Sequence, residues 1–102
     1  MWYSVALLFE SVHNNYPSRD DVWELQIVVI RASSEEEATR IASEIGEERE
    51  HEYTSATGDR VRWVFRQVES VTQISGDIGH GTEIYARFLR TSDVERLLTP
   101  FD

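Results

Sequence analysis

Ile27-Val28-Val29-Ile30-Arg31-Ala32-Ser33-Ser34-Glu35-Glu36-Glu37-Ala38 is the junction on which the fold of this chain turns. Consecutive β-branched residues favour a strand, because they pack well on a pleated surface and lose rotamer freedom in a helix. The serines and glutamates then switch the chain to helix. They form two overlapping capping boxes, Ser33 with Glu36 and Ser34 with Glu37, and the carboxylates of the first turn complement the positive end of the helix dipole. Behind them Ala38, Ile41, Ala42 and Ile45 make one narrow apolar stripe. Alanines within that stripe let the helix lie close against a sheet. Gly46 falls on the solvent side of this pattern, and the helix is expected to stop there or run on to about Glu50.

Upstream of the junction, Val22 to Arg31 reads as a strand. Trp23, Leu25, Ile27 and Val29 share one face, and Val28 and Ile30 share the other with Glu24 and Gln26. Trp2 to Glu10 is a further strand, with Tyr3, Val5, Leu7 and Phe9 on one side and Trp2, Ser4, Ala6 and Leu8 on the other. Apolar groups on both sides suit a central strand. Ser11 to Asp21, with the turn-forming run Asn14-Asn15-Tyr16-Pro17-Ser18, is a connecting loop short enough to imply antiparallel pairing.

Downstream, Thr54 to Asp59 is polar and carries Gly58-Asp59, a turn or hairpin tip. Arg60 to Val68 alternates as a strand: Val61, Trp63, Phe65 and Gln67 face one way, and Arg60, Arg62, Val64, Arg66 and Val68 the other. Val71 to Ile74 continues it across a bend or bulge at Glu69-Ser70. After the glycine-rich turn Ser75 to Gly81, Thr82 to Leu89 is predicted as the last strand, opposing Ile84, Ala86 and Phe88 to Tyr85, Arg87 and Leu89. Ser92-Asp93-Val94-Glu95 offers one more capping box, before a short terminal helix through Arg96-Leu97-Leu98.

The expected fold is therefore one α+β domain spanning residues 1–102. It is an antiparallel sheet of four to five strands with one long helix on one face, ordered β-β-α-β-β, plus a short C-terminal helix. A four-residue helical stripe cannot cover both faces of such a sheet, yet its strands carry apolar side chains on both. The economical cover for the second face is a second copy of the chain, so a homodimer is the expected partnership. Trp23 and Trp63 are the aromatic residues placed on that second face.

Composition narrows the functional classes. The chain of 102 residues has a net charge of −9, with ten arginines and no lysine. A negative field repels phosphate backbones, which weighs against nucleic acid as a partner. Cysteine is absent, which excludes disulfides, thiolate metal sites and thiol catalysis and agrees with a reducing, cytoplasmic setting. No apolar run has the length of a membrane helix, and Trp2 to Phe9 reads as a strand rather than a signal peptide.

Catalytic chemistry finds no footing in the motifs. His13, His51 and His80 lack metal-ligand spacing; Glu48 and His51 would share a helix face, but a third ligand is missing. Gly76 to Gly81 matches neither a Walker loop nor a dinucleotide loop. No cofactor is expected. Arg60, Arg62 and Arg66, with Arg87, Trp63 and Tyr85 nearby, suggest stacking and phosphate contacts with a single strand. Cross-strand pairing of these arginines with Glu24, Glu69 and Glu83, or a dimer contact, accounts for them more simply given the charge. The candidate partner- or ligand-binding residues are thus Trp23, Arg62, Trp63, Arg66, His80, Tyr85 and Arg87. The leading expectation is a non-enzymatic protein-interaction domain. A small-ligand or small-enzyme pocket near Arg62, His80 and Tyr85 is the alternative, and single-strand binding on the arginine face comes third.

Met1 to Glu10, Trp23-Glu24, Arg31 to Ala38, Gly58 to Trp63 and Gly81 to Tyr85 together resemble a small, mostly bacterial family, domain of unknown function 4288. The resemblance runs over roughly residues 2 to 90 and leaves the tail after Thr91 outside it. It implies a short stand-alone cytoplasmic domain, with no activity, cofactor or site residue to carry over.

Overall fold

A computed structural model describes residues 1–14 and 22–99. Strand β1 (Trp2–His13), strand β2 (Trp23–Arg31), helix α1 (Glu35–Glu48), strand β3 (His51–Thr54), strand β4 (Arg60–Ile74) and helix α2 (Thr91–Leu98) follow in order. The four strands form one antiparallel sheet in the order β2-β1-β4-β3. The β-β-α-β-β order with a short C-terminal helix is seen, but its last two strands are His51–Thr54 and Arg60–Ile74 rather than the expected 60–68 and 82–89.

β1 lies at the centre, as its two-sided apolar pattern implies. Tyr3, Val5, Leu7 and Phe9 are buried under α1 with Ile30, Ala32, Ala38 and Ala42. β1 runs three residues past its expected end at Glu10, because Ser11, Val12 and His13 pair with Trp63, Arg62 and Val61. Ser11 is buried, and both its amide and its hydroxyl donate to Val22 O, at 3.1 and 2.7 Å. Asn14 then takes a left-handed φ of 51° and accepts a hydrogen bond from the Arg60 amide through Oδ1 at 3.1 Å. The rest of the expected loop, residues 15–21, lies outside the described residues.

α1 starts where the serines and glutamates place it. The Glu37 amide donates to Ser34 Oγ at 3.1 Å, while the Glu37 carboxylate reaches back to the Ser33 hydroxyl at 2.8 Å rather than to Ser34. One box thus spreads over both serines. Gly46 corrects the expected solvent-side placement. It is buried, in line with Ala38 and Ala42, and the Phe65 ring lies against its bare Cα. The helix consequently continues to Glu48.

Two strand assignments change. His51–Thr54 forms β3, a fully exposed edge strand, and joins β4 through a turn in which Gly58 has φ +89°. Thr82 to Leu89 is not in the sheet: it runs as extended chain without a ladder partner among the described residues. Residues 60–74 form one strand, with register shifts at Glu69, as expected, and also at Arg66. The second shift turns Val68 toward the core and Gln67 away from it, the reverse of their expected faces.

α2 begins with the Arg90 amide donating to Asp93 Oδ2 at 3.0 Å, so Asp93 supplies the capping carboxylate instead of Glu95. Among the described residues α2 packs against no other helix or strand. The radius of gyration, 16.2 Å, exceeds the roughly 13 Å of a compact chain this long.

Candidate interaction surface

Register and alternation define the face opposite α1. Across β2, β1 and β4 its rows are Arg31-Trp2-Ile74, Val29-Ser4-Thr72, Ile27-Ala6-Ser70, Leu25-Leu8-Gln67 and Trp23-Glu10-Val64. Trp23, Leu25, Ile27 and Val29 thus make an apolar stripe along the β2 edge, with Leu8 and Ala6 beside it. Trp23 and Val29 are more than 40% exposed. No helix lies over this stripe among the described residues.

Two ion pairs lie on this face. Arg66 Nε donates to Glu10 Oε1 at 2.8 Å, across a strand and partly buried, and Arg60 Nε meets Glu52 at 2.8 Å. Arg62 stands between Val12 and Glu52 in the register. Pairing with carboxylates holds for Arg60 and Arg66, although the partners are Glu52 and Glu10 rather than Glu24, Glu69 and Glu83. Glu24 instead accepts from Gln26, whose Oε1 accepts from Arg49 at the end of α1. At the other end of the face, the Arg31 guanidinium lies 6.0 Å from the Trp2 ring centroid.

The candidate residues separate. Trp23, Arg62 and Arg66 are on the open face. Trp63 is not: it packs against the core on the α1 side, which corrects its placement beside Trp23. His80 is exposed in the turn after β4. Tyr85 is half-buried and borders a cleft of about 540 Å³ between Thr72–Ser75 and Thr82–Ala86. Arg87 lies farther along the arm, beside α2. Arg62 and Ile74 occupy opposite ends of β4, roughly 35–40 Å apart along the strand, so Arg62 cannot share a pocket with Tyr85. His51 caps no metal cluster either: it is in β3, its Nδ1 lies 3.1 Å from Arg49 O, and no metal-binding cluster of acidic, histidine or cysteine residues occurs among the described residues.

Sequence reasoning missed two parts of this surface. The helix face claims Trp63, which leaves β2 as the exposed apolar edge. Phe88, Leu97 and Leu98 were read as strand and helix residues but are exposed beyond the body, Phe88 wholly so. Their signal was an amphipathic tail with no visible place to pack.

The architecture is that of a small α+β sheet-and-helix module: a helix closes one sheet face, and on the other the β2 edge is apolar and exposed while Ser4, Ala6, Glu10 and Val12 of the central strand are buried. The chain belongs to the family described as Domain of unknown function (DUF4288), which it matches over residues 2–86. No curated protein and no solved structure matches it. The match ends before Arg87, so α2 lies beyond it. No helix among the described residues is long and apolar enough to cross a membrane.

Proposed function

We propose that this chain is a non-enzymatic protein-interaction module that acts as a homodimer, joined through the sheet face that α1 leaves open. The observation carrying this reading is the stripe of exposed Trp23, Leu25 and Val29 with half-buried Ile27 on an edge strand. An exposed apolar edge is an aggregation hazard unless it is covered. An aromatic at one end of an aliphatic stripe, with arginines on the same face, also has the composition of an interface. The Arg66–Glu10 and Arg60–Glu52 pairs favour this over phosphate binding, because those guanidiniums are already neutralised. The cysteine-free sequence suits a cytoplasmic setting.

Absolute solution mass measured across protein concentrations tests the reading, with Trp23→Glu and Trp63→Glu as a pair. The expected result is a wild-type dimer that Trp23→Glu splits into folded monomers, while Trp63→Glu unfolds the chain. A wild-type monomer at all concentrations, or unfolding by Trp23→Glu, would refute it.

A further inference from the structure

The segment after β4 carries the second unpartnered surface of the molecule. Thr82–Arg90 has the alternation of a strand, Ile84, Ala86 and Phe88 against Tyr85, Arg87 and Leu89, but no ladder. α2 follows, eight residues long. A helix that short is marginal in water without a surface to pack on. No helix or strand among the described residues supplies one, and Leu97 and Leu98 are exposed, the latter by 75%. Phe88, at 106%, touches essentially nothing that removes it from solvent.

We infer that residues 82–98 form an exchange arm, which crosses to a second copy of this chain and lies on that copy's open sheet face, reciprocally in the dimer. This rests on the homodimer reading above and names the segment that completes it. Reach permits it. Nine extended residues span about 30 Å and α2 adds about 12 Å, against about 14 Å between the first and last strands of a four-stranded sheet. Charge permits it: residues 1–76 hold fourteen carboxylates against seven arginines, whereas the arm, residues 82–98, is neutral, with Glu83, Asp93 and Glu95 against Arg87, Arg90 and Arg96. The area is sufficient as well. The exposed apolar side chains of two arms and the faces receiving them amount to roughly 2,000 Å², the size of a stable interface.

The absence of cysteine permits a clean experiment on the full chain. Ile27→Cys, carrying a nitroxide on the open face, is mixed in excess with isotope-labelled wild-type chain. The amide signals of Phe88, Leu97 and Leu98 are then followed. They are expected to lose most of their intensity, and to recover it when the nitroxide is reduced. In a parallel measurement, Phe88→Asp should weaken the dimer by about a hundredfold. Phe88 is wholly exposed in the monomer, so this change leaves the fold intact, and a native spectrum of the variant checks that. An undiminished dimer in Phe88→Asp, with arm signals unaffected by the label, overturns the exchange arm while Trp23→Glu still splits the dimer. Broadening only when label and isotope share one chain overturns it in favour of an arm folded on its own sheet. A wild-type monomer overturns the arm and the homodimer together.

Discussion

Gly46→Ala should destabilise this protein, although at an exposed helical position the same change would stabilise it. An added Cβ would stand 2.5, 2.6 and 2.7 Å from Cδ1, Cε1 and Cγ of Phe65. Carbon atoms in contact prefer about 3.5–4.0 Å, so something must yield by about 1 Å. The ring cannot simply turn aside. Phe65 packs at 5.6 Å and 56° against Phe9, which is itself buried in the centre of the sheet. Overpacking of this kind costs about 1–3 kcal/mol, against which alanine gains up to about 1 kcal/mol of helix propensity over glycine. A net loss of about 1–2 kcal/mol follows, or roughly 4–8 °C in Tm per kcal/mol for a domain of this size. Thermal and urea unfolding at fixed protein concentration, followed by tryptophan fluorescence, measures it; the fixed concentration removes the contribution of self-association. Phe65→Leu supplies the control. In that background Gly46→Ala should become neutral or stabilising, giving a coupling of about 1–3 kcal/mol between the two sites. A Gly46→Ala variant as stable as wild type, or additive with Phe65→Leu, would refute the close approach of α1 to β4.

Two other substitutions probe local features of the fold. Ser34→Ala removes the acceptor for the Glu37 amide and should cost about 1 kcal/mol, whereas Ser33→Ala, which loses only an exposed bond to Glu37, should cost less; equal losses would show that the cap is misassigned. Ser4→Ala should be neutral, or stabilising by up to about 1 kcal/mol, because its buried Oγ has no hydrogen-bond partner among the described residues; a clear loss on chemical unfolding would show that the hydroxyl is satisfied on that face.

What was legible in the sequence was what local chemistry decides. The start of α1 could be read because a serine side chain and a glutamate three residues later act on one turn, with no help from the rest of the chain. The bulge at Glu69 could be read because a polar pair interrupts an apolar alternation. The bulge at Arg66 left no such mark, since Val64 and Val68 are both apolar and a phase change between them alters nothing in the pattern. β3 was hidden for a related reason: His51, Glu52, Tyr53 and Thr54 are all exposed, and the strand is held by backbone pairing to β4. Gly46 was misplaced because a stripe drawn through apolar side chains does not count a residue without one. Yet it stands one turn beyond Ala42, where the absence of a side chain is what Phe65 requires. Of the candidate surface, Trp23 was found and Trp63 was not separated from it, because alternation shows that two faces exist but not which of them a helix will cover.

The division of β2 between those faces argues for a partner more strongly than any single exposed residue. Toward α1 the strand offers Val28 and Ile30, then Gln26, which accepts from Arg49 at the close of the helix, and Glu24, which accepts from Gln26. Away from α1 it offers Trp23, Leu25, Ile27 and Val29 without interruption. In a sheet with one wet face, polar residues mark that face. Here the wetter face of β2 is the more apolar of the two, on an edge strand where charges would guard against unwanted pairing. The same inversion recurs in the arm, where Phe88, Leu97 and Leu98 are exposed beside Arg87, Arg90 and Arg96. On the proposed homodimer reading, a sheet face and a strand-and-helix arm that are both unpartnered among the described residues would be two halves of one interface, which a second copy would supply at once.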